Sequence, residues 1–155
     1  MSKWAAPRRA SPGSEPGATG DGQENKRQRA FDLERRLIDF AAAVLDVVES
    51  LPNSVAGVHI GGQLTRCGTS PAANYGEAQA AESRRDFIHK MKVCLKELRE
   101  SRVWLEIIRR KAMARNQTGV TEAIREANEL IAIFVASIAT AQRNLEARRP
   151  APGRT

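Results

Sequence analysis

From Leu33 onward, apolar residues return at alternating steps of four and three, the spacing that keeps one stripe of an α-helix turned toward a partner. Leu33, Leu37, Phe40, Val44, Val47 and Leu51 form the first such stripe. Pro52 and Asn53 end it, because the residue before a proline is pushed out of the helical region, and Asn53 or Ser54 supplies the cap of the next helix. The second stripe is the weakest: Ile60, Leu64, Cys67, Pro71, Asn74, Ala78 and Ala81. Gly57, Gly61, Gly62, Gly68 and Gly76 each lower helix propensity by up to about 1 kcal/mol relative to alanine, so packing must supply what local preference does not. They also allow a neighbouring helix to approach closely. Pro71, preceded by Gly68, Thr69 and Ser70, predicts a kink or short break over those three residues.

Ser83 opens a third helix with the stripe Phe87, Met91, Cys94, Leu98, Ser101, Leu105, Ile108 and Ala112. A loop is expected over Asn116 to Gly119, with Thr118 or Thr121 as the cap of a fourth helix that carries Val120, Ile124, Ala127, Ile131, Phe134, Ile138, Ala141 and Leu145. Four such segments joined by short connections predict an all-α fold, an up-down-up-down antiparallel four-helix bundle, in preference to an elongated coiled-coil dimer. Ile38, Leu45, Val48, Trp104, Ile107, Ile133 and Val135 lie outside the stripes, more apolar surface than one bundle core needs, and this predicts self-association.

The ends differ in kind. Residues 1–30 hold Pro7, Pro12 and Pro16 with Gly13, Gly17, Gly20 and Gly22, and little to bury beyond Trp4; residues 148–155 hold Pro150, Pro152 and Gly153. Such segments cannot offset their ordering entropy, so disordered basic tails are expected on either side of a bundle spanning 31–147. Lys3, Arg8, Arg9, Lys26, Arg27 and Arg29 at one end, and Arg148, Arg149 and Arg154 at the other, make solvated ends or arms for a polyanion.

The formal net charge of +7 bears on partners rather than fold, and favours nucleic acid, an acidic protein or an anionic surface. Two cysteines, Cys67 and Cys94, both on apolar positions, exclude a disulfide framework. No apolar h-region and no run of about eighteen apolar residues occurs, so neither a secretory signal nor a membrane span is expected and the address is taken as cytoplasmic. The sequon Asn116-Gln117-Thr118 has no meaning there.

The sequence predicts no catalytic residues, no metal site and no cofactor. His59 and His89 sit on different helices without a carboxylate or cysteine at ligand spacing, Thr65, Thr69 and Ser70 have no base or oxyanion loop, and Gly61-Gly62 lacks the strand a phosphate loop requires. Two polar constellations remain. Asn74, on the second stripe, needs partners if buried, and Arg66, Ser70, Glu77, Glu97 and Glu100 are near enough to form a buried polar network that fixes helix register or lines a pocket. The third helix and its flanks carry eleven cations (Arg84, Arg85, Lys90, Lys92, Lys96, Arg99, Arg102, Arg109, Arg110, Lys111, Arg115) against Asp86, Glu97, Glu100 and Glu106. Arg85, Lys92, Lys96, Arg99, Arg110 and Lys111 are the candidate nucleic-acid contacts, reading shape and backbone rather than stacked bases, since Tyr75 and Trp104 are the only aromatics suited to stacking. The bland alternative is a solvated face with ion pairs such as Lys96 to Glu100.

The run from Gly62 to Ala78, with Arg66, Ser70, Asn74, Tyr75, Glu77 and Ala78 at its fixed positions, resembles the Arg-Ser-x-x-Ser-x-x-x-Asn-(Ile/Tyr)-x-Glu-(Ala/Gly) segment of the four-helix bundle proteins encoded by intervening sequences of bacterial 23S ribosomal RNA genes. The stretches 83–90, 95–101 and 126–130 are similar to later motifs of that family, and the likeness covers about residues 31 to 145. Cys67 stands where serine is frequent and Pro71 where an aliphatic is usual, and the long basic amino-terminal tail lies outside the pattern. The resemblance implies an up-down bundle assembling as a homopentamer and suspected to bind RNA or DNA. A related bundle, the accessory protein of diversity-generating retroelements, partners a reverse transcriptase. A protein-interaction scaffold docking such a partner is therefore the alternative to nucleic-acid binding.

Overall fold

The computed structural model describes residues 20–148; the expected disorder of residues 1–19 and 149–155 lies outside that range. Four helices follow one another: α1 (Gly20–Glu49), α2 (Val55–Gln79), α3 (Arg84–Arg110) and α4 (Gln117–Glu146). Each packs on its sequence neighbour and α1 closes against α4, while the backbones of α1 and α3, and of α2 and α4, lie across the diagonals with no Cα pair within 8 Å, so the helices occupy the corners of an antiparallel up-down-up-down bundle. The core is one contiguous cluster to which every helix contributes; Phe40, Phe134, Leu37, Leu64, Met91, Leu98, Leu105, Ile108 and Leu130 are its largest sealed side chains. Among the described residues there is no strand, and no helix is long and apolar enough to cross a membrane.

The stripes of α1, α3 and α4 are buried largely as their spacing requires. Ser54 caps α2 by accepting from Gly57 N at 3.1 Å, and Ser83 caps α3 by accepting from Asp86 N at 3.1 Å, so two of the orphan amides of a helix start are satisfied by the residues expected to do so.

Five expectations are corrected. First, α1 begins at Gly20, not Phe31, so part of the expected amino-terminal tail is helical; residues 22–29 are exposed on all sides, and this stretch extends a helix nucleated by the buried stripe below it. Second, the short break is absent: α2 is continuous through Gly68 to Ser70, with Pro71 buried inside it. Packing against both α1 and α3 overrides the local cost of the proline: a β-carbon on Gly68 would stand 2.5 Å from Val44 Cγ1, so α1 reaches the α2 backbone here. Third, Tyr75 rather than Asn74 faces the core, because an α-helix turns 3.6 residues and not 3.5, and the stripe takes a second step of four after Pro71. Fourth, α3 stops at Arg110 and Ala112 is exposed with φ 49°. Ala112 N donates to Arg109 O at 3.1 Å and Met113 N to Ile108 O at 3.0 Å, the two bonds of a Schellman ending, closed by Met113 packing on the core. Fifth, the cap of α4 is Asn116, whose Oδ1 accepts from Gly119 N at 2.9 Å, not Thr118 or Thr121.

A candidate polyanion-binding face on α3

The core side of α3 is set by Met91, Cys94, Leu98, Ser101, Leu105 and Ile108. At about 100° per residue, Arg85, Lys92, Lys96, Arg99 and Arg110 fall in one line diametrically opposite that stripe, and all five are exposed. Lys111, the C-cap, is exposed beside the end of the line. The structure therefore brings the six candidates onto one outward face and one end of it. Arg85, Lys92 and Arg99 have no carboxylate within salt-bridge distance among the described residues, whereas Lys96 lies 3.9 Å from Glu97 and Arg110 4.0 Å from Glu106, contacts at the limit of an ion pair. Lys90 lies on another flank of α3, about 140° round the helix from Arg85: it bridges Glu77 at 3.2 Å and Asp86 at 3.8 Å, tying α3 to α2. Arg109 pairs with Glu106 at 2.7 Å.

Charge is distributed unevenly over the bundle. α3 carries nine Lys and Arg against four Asp and Glu, whereas α4 carries Arg125 and Arg143 against Glu122, Glu126, Glu129 and Glu146. Between α1 and α4 runs a groove of about 550 Å³ that includes Asp39, Asp46, Glu122 and Glu126. Arg36 spans it with a fork to Glu126 at 2.8 and 2.9 Å and a further bond to Glu129 at 2.7 Å, and the Glu126 bond raises its already high pKa. The bundle thus presents a basic corner and an acidic side.

The expected buried polar network is not assembled. Asn74 is half-buried and satisfied within its own helix, donating to Ser70 O at 3.0 Å and Ser70 Oγ at 2.7 Å. Arg66 turns to Gln63, Glu77 to Lys90, and Glu100 accepts from Trp104 Nε1 at 3.4 Å. With Tyr75 taking the core position, Asn74 has no call on partners across the helix interface. Among the described residues the fully buried polar one is Ser101, which donates to Glu97 O at 2.8 Å and lies beside the Cys67 thiol. Burial pushes Cys94 up to about 12, and it pushes Cys67 up as well, opposed by a hydrogen bond with Ser101 and reinforced by Glu100 and Glu97. Cys94 Sγ donates to Pro71 O at 3.6 Å. These thiols are sealed, protonated core residues rather than nucleophiles.

His59 and His89 are exposed on different helices, and His59 meets Trp104 edge-to-face at 6.1 Å. No group of three or more His, Cys, Asp or Glu is placed to hold a metal among the described residues. A cleft of about 740 Å³ at the α2–α3 turn includes Lys26, Glu82, Ser83, Arg84 and Thr140 but no histidine or cysteine.

Fold and surface together define a class: an antiparallel four-helix bundle with a basic outer helix. Residues 29–136 match the family described as 23S rRNA-intervening sequence protein, more than half of the chain, and the protein belongs to that family. A solved structure, described as a protein of unknown function from the S23 ribosomal protein family of Bacteroides thetaiotaomicron, is 30% identical, covering 68% of this chain and 97% of its own, with a TM-score of 0.61. Comparison with curated proteins finds no match. Neither description names a reaction.

Proposed function

We propose that this chain is a non-enzymatic, self-associating bundle that binds the backbone of structured RNA or DNA through the outer face of α3. The observation that carries the reading is the line of exposed cations from Arg85 to Arg110, about 38 Å long at about 1.5 Å per residue, opposite the core stripe. A straight row of point charges and guanidinium forks fits a phosphate track and holds nothing that reads a base edge. Tyr75 is buried and Trp104 lies against His59, so stacking on unpaired bases contributes nothing on this face. Self-association is supported by three of the seven apolar side chains expected outside the stripes: Ile38 and Leu45 on α1 stay exposed, as does Val135, while Val48, Trp104 and Ile107 pack onto the bundle.

Binding to a duplex of about twenty base pairs tests the reading. The logarithm of the association constant is expected to fall linearly with the logarithm of salt, by about 0.9 per phosphate neutralised, with little preference among sequences. Replacing Lys92, Lys96 and Arg99 together by Glu removes binding and leaves the fold intact, since all three are exposed. Absence of binding at low salt, or a triple variant that binds like the parent, refutes it. A co-purifying protein lost on the same replacements, without nucleic-acid binding, assigns the face instead to a docked partner such as a reverse transcriptase.

A further inference from the structure

The end of the bundle where α2 turns into α3 holds an open cleft of about 740 Å³, bounded by that turn, the start of α1 and the last turns of α4. Helix lengths leave it there. α2 has 25 residues and α1 has 30, so α2 stops about 7 Å short of α1 at about 1.5 Å per residue, and the alanines at 78, 81, 136 and 141 fill little of the gap. The extension of α1 before Phe31 supplies one lip through Lys26. Phe87, placed by spacing on the core stripe of α3, instead lies half-buried in the wall. Two polar groups around the cleft are engaged within the fold: Ser83 caps α3, and Thr140 accepts from Arg143 at 3.2 Å. Six others, Lys26, Gln79, Glu82, Arg84, Ser137 and Asn144, make no side-chain hydrogen bond or ion pair with another described residue.

We infer that this cleft binds a single nucleotide, with its phosphate at Lys26 and Arg84 and its base against Phe87. Two cations without ion-pair partners among the described residues stand against one carboxylate, Glu82, so the cleft favours an anion, and the Arg84 fork suits a phosphate. A phosphate alone would leave the apolar part of the wall bare. Phe87 offers the aromatic surface on which any base stacks, and the small alanines leave room beside it. Gln79 and Asn144 each carry a donor and an acceptor in one amide, the two functions that a base edge presents. Glu82 and Ser137 can accept from ribose hydroxyls. The volume falls in the range of sites that enclose a small ligand. The groove between α1 and α4 lacks this match, since Asp39, Asp46 and Glu122 would repel a phosphate. The nucleotide can be free, or it can be the unpaired end of a strand lying along α3, because Arg85, the first cation of that line, directly follows Arg84. Only the second source rests on the function proposed above.

Equilibrium dialysis of the full-length chain is expected to show AMP bound with a dissociation constant below about 1 mM, and adenosine and inorganic phosphate each bound at least about tenfold more weakly. Arg84→Gln weakens AMP binding about tenfold, the loss that follows removal of one charge-assisted hydrogen bond. Ala136→Trp, at an exposed position on the rim, blocks the cleft and leaves helical circular dichroism unchanged. A duplex ending in one unpaired, 5′-phosphorylated adenosine displaces AMP more strongly than a blunt duplex where the cleft takes a strand end; equal behaviour of the two duplexes assigns it to the free nucleotide. No AMP binding, adenosine or phosphate binding as tightly as AMP, or Arg84→Gln and Ala136→Trp chains that bind AMP like the parent overturns the inference. Blunt-duplex binding through α3 is a separate measurement, so either reading can fail alone.

Discussion

Cys94 lies on the α2–α3 seam with no exposed surface, its thiol donating to a carbonyl that Pro71 carries and its pKa lifted from 9.0 to about 12 by burial. Tyr75, pressed edge-to-face on Phe134 at 6.0 Å, is likewise pushed up to about 12, first by burial and then by Glu34 and Cys94. For both groups the folded chain holds a proton that the unfolded chain releases at lower pH. Below pH 9 both states are protonated and the contribution is fully present; between the unfolded values and about 12 the unfolded state binds fewer protons, so stability falls as pH rises. Urea midpoints are expected to be flat across neutral pH and to drop from about pH 9 upward. A Cys94→Ala chain, less stable at neutral pH, should lose its midpoint less steeply over the same interval. A slope equal to that of the parent would remove Cys94 from the account.

Two helix features carry the packing. Gly68 admits α1 so closely that an added methyl group meets Val44 Cγ1 at 2.5 Å and Cγ2 at 3.0 Å. Gly68→Ala is therefore expected to destabilise the bundle by about 1 to 3 kcal/mol despite its better helix propensity, and Val44→Ala should recover part of that loss in a double-mutant cycle. Additive losses in denaturant unfolding would deny the contact. At the end of α3, Ala112 holds the left-handed position that glycine normally fills, so Ala112→Gly should raise stability by about 1 kcal/mol in the same assay, against the usual sign for glycine. These positions also mark where the chain is and is not legible. The seams of α3 and α4 and the caps Ser54 and Ser83 follow from periodicity and from hydroxyls placed before a stripe. The stop at Arg110 is hidden because alanine at 112 prolongs the apolar period while the backbone turns away, and Asn74 is misplaced because a strict four-three count ignores the drift of a real helix. The early start at Gly20 carries no apolar signal, being a solvated extension. Of the candidate site, the outward line from Arg85 to Arg110 could be read from spacing alone; that Lys90 pairs with Glu77 depends on which helix lies beside it, and that Glu100 turns to Trp104, one turn further along α3, depends on the rotamer each adopts.

Over the whole molecule, the corners of the bundle divide the labour. The core is shared by all four helices, the acidic groove lies between α1 and α4, and the cations line the outer edge of α3. Under the proposed function such asymmetry would act before contact: a polyanion approaching the α1–α4 side would be repelled and one approaching α3 drawn in, so orientation would be selected during the encounter and the association rate should carry the salt dependence. No Cα of α1 lies within 8 Å of one of α3, which places the two helices on a diagonal. The cationic edge of α3 and the exposed apolar side chains Ile38 and Leu45 of α1 therefore point away from each other. Whatever covers one of them leaves the other bare, so a neighbour seated on α1 and a polyanion lying along α3 would not compete for the same space.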